Sequence, residues 1–96
     1  MSFEDYTITH VRRLILEQLE KENDYAQNQI VMKGILKAYG QTLSTDRVMT
    51  EFNWLQEQGL VTLDSFGGFT VARLTERGLD IATGSAMLPG VARKGV

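Results

Sequence analysis

The spacing of apolar residues divides the chain into helical and strand-like stretches. Over residues 7–22 the apolar side chains recur every three or four positions, which predicts an amphipathic helix whose start Thr7 or Asp5 can cap. Its predicted core stripe contains Ile8, Val11, Ile15 and Leu19, widened by Leu14 and Leu16. The polar residues 23–27 interrupt this pattern and predict a loop, in which Tyr25 fills an edge of the core.

A second helix is predicted from Asn28 to about Tyr39. Asn28 is a favourable N-cap, and Gly40 can adopt the left-handed conformation that commonly ends a helix. The predicted core stripe of this helix consists of Val31, Ile35, Ala38 and Tyr39. Gly34 costs about 1 kcal/mol relative to alanine inside a helix, so it predicts a place where another helix crosses closely.

The stretch from Leu43 to Val61 carries the sharpest local signals in the chain. Ser44 occupies an N-cap position, Asp46 follows in the first turn, and Gly59 comes after the last turn. The predicted core residues of this third helix are Val48, Phe52 and Leu55, with Leu43 packed on Val48 as a hydrophobic staple. After Gly59 the apolar pattern changes to the period of two that is typical of a strand.

The rest of the chain predicts a β-hairpin, a short helix and a tail. Strands are expected at residues 60–64 and 69–74, because the glycine pair at 67–68 can adopt the positive φ angles of a tight turn. Thr75 can cap a last helix that runs to about Thr83. The fold class is therefore mainly α with a small β-hairpin, a winged helix-turn-helix over residues 1–84. Residues 85–96 lack periodicity and form a C-terminal tail, flexible or docked on a partner.

Composition narrows the classes of function. The 96 residues suffice for one domain with one modest core. The chain has no cysteine and one histidine, so we expect no metal site and no cofactor. Motifs for catalysis or phosphate-binding loops are also lacking, so we expect no enzyme. No apolar run approaches the roughly 20 residues that span a bilayer, so we expect a cytoplasmic protein without membrane contact. Since the net charge is -2, any contact with DNA must depend on local positive charge.

Two motifs resemble those of winged-helix regulators of the arsenic-repressor and multiple-antibiotic-resistance-regulator type. Phe52-x-x-Leu55-x-x-x-Gly59-Leu60-Val61 resembles the end of their recognition helix, and Leu74-Thr75-x-x-Gly78 resembles their exit from the wing. The whole chain, including Val48-x-x-x-Phe52-Asn53-Trp54-Leu55 and Leu88-Pro89-Gly90-Val91-x-Arg93, is similar to small arsenic-repressor-like proteins of Mu-like prophages. The resemblance implies a DNA-binding fold, a bacterial host and a homodimer. Lack of cysteine departs from the metal-sensing members, so no metal site is carried over.

The third predicted helix has an outer face that could contact DNA. At about 100° per residue this face centres on Asp46, Thr50, Asn53 and Glu57, flanked by Arg47, Trp54, Met49 and Gln56. The candidate base-reading residues Thr50, Asn53 and Gln56 carry side chains that can hydrogen-bond to base edges, and Arg47 lies near the helix N-terminus. The other candidate DNA contacts are Lys33, Lys37, Arg73 and Arg77. His10, Arg12 and Arg13 lie off the core stripe of the first helix and are predicted to face either solvent or a partner.

The sequence leaves two functions open. One is a phage- or prophage-encoded homodimer that binds double-stranded DNA and regulates transcription. The other is a winged-helix module that contacts a phage or host protein through Trp54 and Phe66 without binding DNA. Against DNA binding, the acidic residues Asp46, Glu51 and Glu57 outnumber Arg47 on the third helix, so that its outer face is either solvated or docked on protein. Arg47 and Glu51, one turn apart, can also form a surface ion pair. The electrostatic field around that helix distinguishes the two functions.

Overall fold

The order of helices and strands follows the predicted winged helix-turn-helix, with one added strand. The computed structural model describes residues 3–95, and their side chains from Tyr6 onward. Within this part of the chain the helices are α1 (Phe3–Lys21), α2 (Gln29–Ala38), α3 (Thr45–Glu57) and α4 (Glu76–Thr83). The strands are β1 (Ala26–Asn28), β2 (Val61–Phe66) and β3 (Phe69–Leu74).

Strand β1 is the element that the hydrophobic pattern does not predict. It pairs antiparallel with β3, with Ala26 opposite Arg73 and Asn28 opposite Val71, and completes a sheet of order β1-β3-β2. Three residues are too few to show a period of two. Asn28 ends the strand and also caps α2, because its side chain accepts a hydrogen bond from the backbone N–H of Val31 at 2.8 Å. The sheet is thereby joined directly to α2.

The turn between α1 and β1 runs through left-handed backbone. Asp24 and Tyr25 have φ angles of 57° and 56°, which non-glycine residues seldom adopt. Tyr25 is exposed, so the prediction that it fills an edge of the core is wrong. With this left-handed backbone, the Tyr25 side chain extends into solvent and does not pack against the core.

The predicted hairpin is present. Its strands are paired from Val61 opposite Leu74 to Phe66 opposite Phe69. The two connecting residues are the glycine pair, with φ angles of 58° and 82°, as a type I′ turn requires. Strand β2 therefore extends to Phe66, two residues beyond its predicted end, and the hairpin projects from the core.

The core lies between the helices and the inner face of the sheet. The predicted core residues Val48, Phe52 and Leu55 of α3 are fully buried, which confirms the helical phase of that element. In α1, four residues of the predicted stripe and its extension are buried: Val11, Ile15, Leu16 and Leu19. The sheet adds Val61, Ala72 and Leu74, and α4 adds Ile81 and Ala82.

Helix α2 buries a different face from the predicted one. Met32 and Leu36 fill the core. Three of the four predicted stripe residues are exposed and the fourth is half-buried: Val31, Ala38, Tyr39 and Ile35. Because apolar residues surround most of this helix, its periodicity alone does not select the buried face. Gly34 also lies in open space, since a Cβ there would meet nothing within 4 Å, so the predicted helix crossing is absent.

Residues 85–95 pack back onto α1. The backbone N–H of Ala92 donates to the Thr9 carbonyl at 3.0 Å, and Val91 is buried. The Arg13 guanidinium donates to the carbonyl oxygens of Ala92 at 2.8 Å and Ile81 at 2.6 Å, so it joins the tail to the end of α4. Burial lowers the pKa of Arg13, against an opposing effect from the nearby Glu17 carboxylate. Arg13 is buried, so the prediction that it faces solvent or a partner is wrong.

Candidate nucleic-acid interface

Helix α3 presents a polar face to solvent. Ser44 starts the helix, since its hydroxyl accepts a hydrogen bond from the backbone N–H of Arg47 at 3.1 Å. The exposed side chains of this face are Asp46, Arg47, Thr50, Asn53, Gln56 and Glu57. The Thr50 hydroxyl donates to the Asp46 carbonyl at 3.0 Å, which leaves its oxygen as an acceptor. The predicted base-reading residues therefore share one accessible surface.

Two lysines of α2 lie beside the N-terminus of α3. Lys33 and Lys37 are exposed and line a cleft of about 370 Å³ together with Thr42, Leu43 and Ser44. The free N–H groups and the dipole of α3 make its N-terminus positive as well. Lys33 and Lys37 thus lie at the end of α3 where an anion is favoured, and Arg47 belongs to the first turn of the same helix.

The other two predicted DNA contacts lie elsewhere. The Arg77 guanidinium donates to the Gln58 carbonyl at 3.1 Å, at the C-terminal end of α3. The Arg73 guanidinium donates to the Asp24 carbonyl at 3.4 Å, beside the turn that precedes β1. Both side chains are exposed, but the structure does not bring them together with the lysines of α2.

Glu51 occupies a different position from the one expected of a surface acid. Its side chain is 2% exposed. One carboxylate oxygen accepts from Nε of Arg12 at 2.7 Å, and the other accepts from Nε of Arg47 at 3.1 Å. The expectation that Glu51 adds negative charge to the outer face is therefore wrong, because two guanidinium groups surround one carboxylate. On the exposed face of α3 the acidic side chains are Asp46 and Glu57.

Arg12 connects this ion pair to the tail. Its guanidinium carbon lies 3.7 Å from the centroid of the Trp54 ring, and its Nη1 donates to the Gly90 carbonyl at 3.1 Å. Gly90 packs so closely on Trp54 that an added Cβ would lie 2.7 Å from the indole ring. Trp54, predicted as a protein contact, is half-buried against this chain's own residues. No local sequence pattern indicates the contacts of Arg12, because it is 39 positions from Glu51 and 78 from Gly90.

The tip of the hairpin is apolar and held by α2. Phe66 is 64% exposed and Phe69, its cross-strand neighbour, is also exposed. The buried side chain of Gln29 accepts from the Thr70 N–H at 2.7 Å and donates to the Gly68 carbonyl at 3.2 Å. These bonds fix the hairpin against the start of α2. Phe66 is accessible, as a contact with another molecule would require.

Among the side chains that the structure describes, from Tyr6 to Gly95, no group of three or more His, Cys, Asp or Glu residues could hold a metal ion. None of the helices described there is long and apolar enough to cross a membrane.

Two known proteins align with nearly the whole chain. An uncharacterised protein of Escherichia phage Mu, gp26, is 38% identical over 86 residues, which cover 90% of this chain and 90% of gp26. The chain belongs to the gp26 family. Another relative, an uncharacterised protein of Haemophilus influenzae, is 37% identical over 86 residues, covering 88% of this chain and 83% of its own length. No family profile matches the chain.

Solved structures resemble this member of the gp26 family in fold. RosR in the complex hsRosR-S1 superposes with a TM-score of 0.68 at 22% identity, over 83% of this chain and 70% of RosR. The structure of H. salinarum RosR grown from NaBr superposes with a TM-score of 0.66 at 23% identity, over 76% of this chain and 66% of RosR. RosR is a winged-helix protein, so the predicted winged-helix fold is confirmed. The matches support the phage relationship and the fold, but not membership of the arsenic-repressor family.

Proposed function

We propose that this protein binds double-stranded DNA through α3 and regulates transcription for a phage or prophage, as a homodimer in the cytoplasm of a bacterial host. The observation that carries the proposal is that Lys33 and Lys37 line a cleft with Ser44, the N-cap of α3, and that the first turn of this helix contains the exposed Arg47. Burial and pairing of Glu51 strengthen it, because the acid nearest to Arg47 no longer repels phosphate from the surface.

The residues of this surface divide into two roles. Lys33, Lys37 and Arg47 lie where the N-terminal end of a recognition helix meets the DNA backbone, so they contact phosphates. The polar side chains that follow along α3 enter the major groove and contact base edges: Thr50, Asn53 and Gln56. Arg73 and Arg77 are left outside this footprint, because Arg73 bonds to the turn before β1 and Arg77 to the C-terminal end of α3.

The strength of binding follows from the small number of positive charges. Three phosphate contacts per subunit give about six in a dimer, for which log affinity should fall against log salt with a slope near -5. The exposed acids Asp46 and Glu57 oppose the approach of phosphate. We therefore expect binding that is readily measured at low salt and weak at physiological salt.

Fluorescence anisotropy with labelled duplexes at about 50 mM salt tests the proposal. Arg47→Ala is expected to weaken binding, whereas Arg93→Ala, which removes the same charge from an exposed position in the tail, is the matched control. Light scattering on the parent protein tests the homodimer. If the parent binds no duplex, including the promoter regions of its own genome, the DNA-binding proposal is wrong.

The exposed phenylalanine pair favours a second candidate function. Phe66 and Phe69 form an apolar hairpin tip without a positive charge, which suits a protein surface better than phosphates. In this alternative the winged helix is an interaction module that contacts a phage or host protein without DNA. Phe66→Ser would then abolish complex formation with that protein, whereas Arg47→Ala would leave it intact.

A further inference from the structure

The two arginines that flank Glu51 are held unequally. Arg12 lies 2.7 Å from the carboxylate and its side chain is 16% exposed, whereas Arg47 lies at 3.1 Å and is 43% exposed. Arg12 has further contacts with the Gly90 carbonyl and the Trp54 ring. Among the residues described, the Arg47 side chain hydrogen-bonds to Glu51 through Nε. Arg12 is thus the fixed counter-ion, and Arg47 the exchangeable one.

We propose that Glu51 and Arg12 are positioning residues for Arg47, which is the arginine that meets phosphate. This inference rests on the proposed DNA-binding function and names how its phosphate contact is prepared. Glu51 fixes the Nε edge of Arg47 and leaves the two terminal nitrogens, the pair that forks onto an anion, for a phosphate. Without Glu51, a surface arginine would have to lose its rotamer freedom on binding.

Arg12 prevents the buried Glu51 carboxylate from retaining Arg47. A buried carboxylate with Arg47 as its sole counter-ion would retain that arginine, since breaking a buried pair leaves an uncompensated charge. Because Arg12 pairs with the other carboxylate oxygen of Glu51 and neutralises its charge, Arg47 keeps a net positive charge for a phosphate. The group of Arg12, Glu51 and Arg47 carries one net positive charge at the surface of α3.

The tail takes part in this arrangement through Gly90. Gly90 supplies the carbonyl that holds Arg12 and packs on the ring over which Arg12 lies. The backbone bond from Ala92 to Thr9 fixes the tail beside that point on α1. The position of the Arg12 charge is therefore set by the tail and α1 together.

The test separates the charge of Arg12 from its packing. Arg12→Gln removes the charge but keeps a hydrogen-bonding side chain, and Arg12→Lys keeps the charge. In the Gln variant Glu51 retains Arg47, so we expect duplex affinity to fall about 5- to 10-fold and the salt slope to shrink by about one per subunit. The Lys variant is expected to bind like the parent. Arg93→Gln, a loss of the same charge in the tail, is the control for net charge.

A double variant completes the cycle. Arg12→Gln combined with Glu51→Gln leaves Arg47 without the carboxylate that retains it, so we expect an affinity above that of Arg12→Gln but below that of the parent, because Glu51 no longer positions Arg47. Arg47→Ala should weaken the parent but change Arg12→Gln little, because Arg47 is already engaged there. Melting curves of each variant establish that it is folded at the assay temperature. If Arg12→Gln alone does not fold, the double variant, which has no unpaired buried carboxylate, carries the test. It should bind more weakly than the parent but keep the parental salt slope, whereas parental affinity would contradict the positioning role of Glu51.

The outcomes distinguish this inference from the proposed function. Absence of duplex binding by the parent protein overturns both. Binding by the parent with equal affinity and salt slope in Arg12→Gln, or with no recovery in the double variant, overturns the positioning role and leaves DNA binding standing. An equal loss in Arg12→Lys and Arg12→Gln would show that Arg12 acts through packing, which also contradicts the proposal.

Discussion

Replacing glycine by alanine is expected to have opposite effects on stability at two positions, Gly78 in α4 and Gly34 in α2. Gly78 is buried in the first turn of α4, where an added Cβ would overlap the Leu60 carbonyl oxygen and lie 2.9 Å from a methyl carbon of Leu74. That carbonyl also accepts the backbone N–H of Thr75 at 3.0 Å. Gly34 is exposed within α2, and its added Cβ would meet nothing within 4 Å.

The magnitudes follow from these surroundings. At Gly34, alanine should stabilise the protein by about 1 kcal/mol, the difference in helix propensity. At Gly78 the same gain is opposed by overpacking, which costs about 1–3 kcal/mol or more. The cost should lie at or above the upper end, because a backbone carbonyl cannot rotate away as a side chain can. We expect Gly78→Ala to lose roughly 2 kcal/mol, which lowers the melting temperature by about 8–16 °C in a domain of this size.

Thermal unfolding followed by circular dichroism at helical wavelengths measures both variants against the parent. Gly34→Ala is expected to melt a few degrees higher, by about 4–8 °C per kcal/mol gained. Should Gly78→Ala melt at or above the parental temperature, the close packing of α4 on the residues before β2 is refuted. A destabilised Gly34→Ala would refute the exposure of that face of α2.

Two further substitutions test the core and the tail. Phe52→Ala removes a fully buried ring, so urea unfolding should show a loss of about 3–5 kcal/mol; an unchanged midpoint contradicts the phase of α3. Gly90→Ala should push the tail from Trp54, the single tryptophan, and change its fluorescence emission. Gly95→Ala is its control, because that residue also has positive φ but open space around it. Identical spectra for both variants would contradict the docking of the tail.

Local signals determine which parts of the fold the sequence predicts. Helix α3 has a cap at Ser44, a left-handed Gly59 and an apolar period with polar residues between, so its ends and its buried face agree with the structure. In α2 the caps are predicted well, but apolar side chains on both sides leave its phase undetermined. The choice of Met32 and Leu36 for the core depends on the position of α3 and the sheet, which no local pattern contains.

The candidate site divides in the same way. Exposure of Thr50, Asn53 and Gln56 follows from the helical period alone. The burial of Glu51 does not, because a carboxylate at an intermediate helical position is usually solvated, and its counter-ion Arg12 comes from a distant part of the chain. The docking of the tail is not predictable from periodicity, because backbone and arginine hydrogen bonds hold the tail and no apolar stripe does.

The pairing of β1 with β3 has a consequence for how the protein is made. Ala26 finds its partner Arg73 only after most of the chain has been synthesised. Contacts between residues so distant in sequence close a large loop and slow folding. During translation β1 and the helices that follow it therefore leave the ribosome before their sheet can exist. The apolar residues of α2 therefore stay exposed until the hairpin has been synthesised. The last strand to emerge, β3, is the central strand that pairs with both of the others.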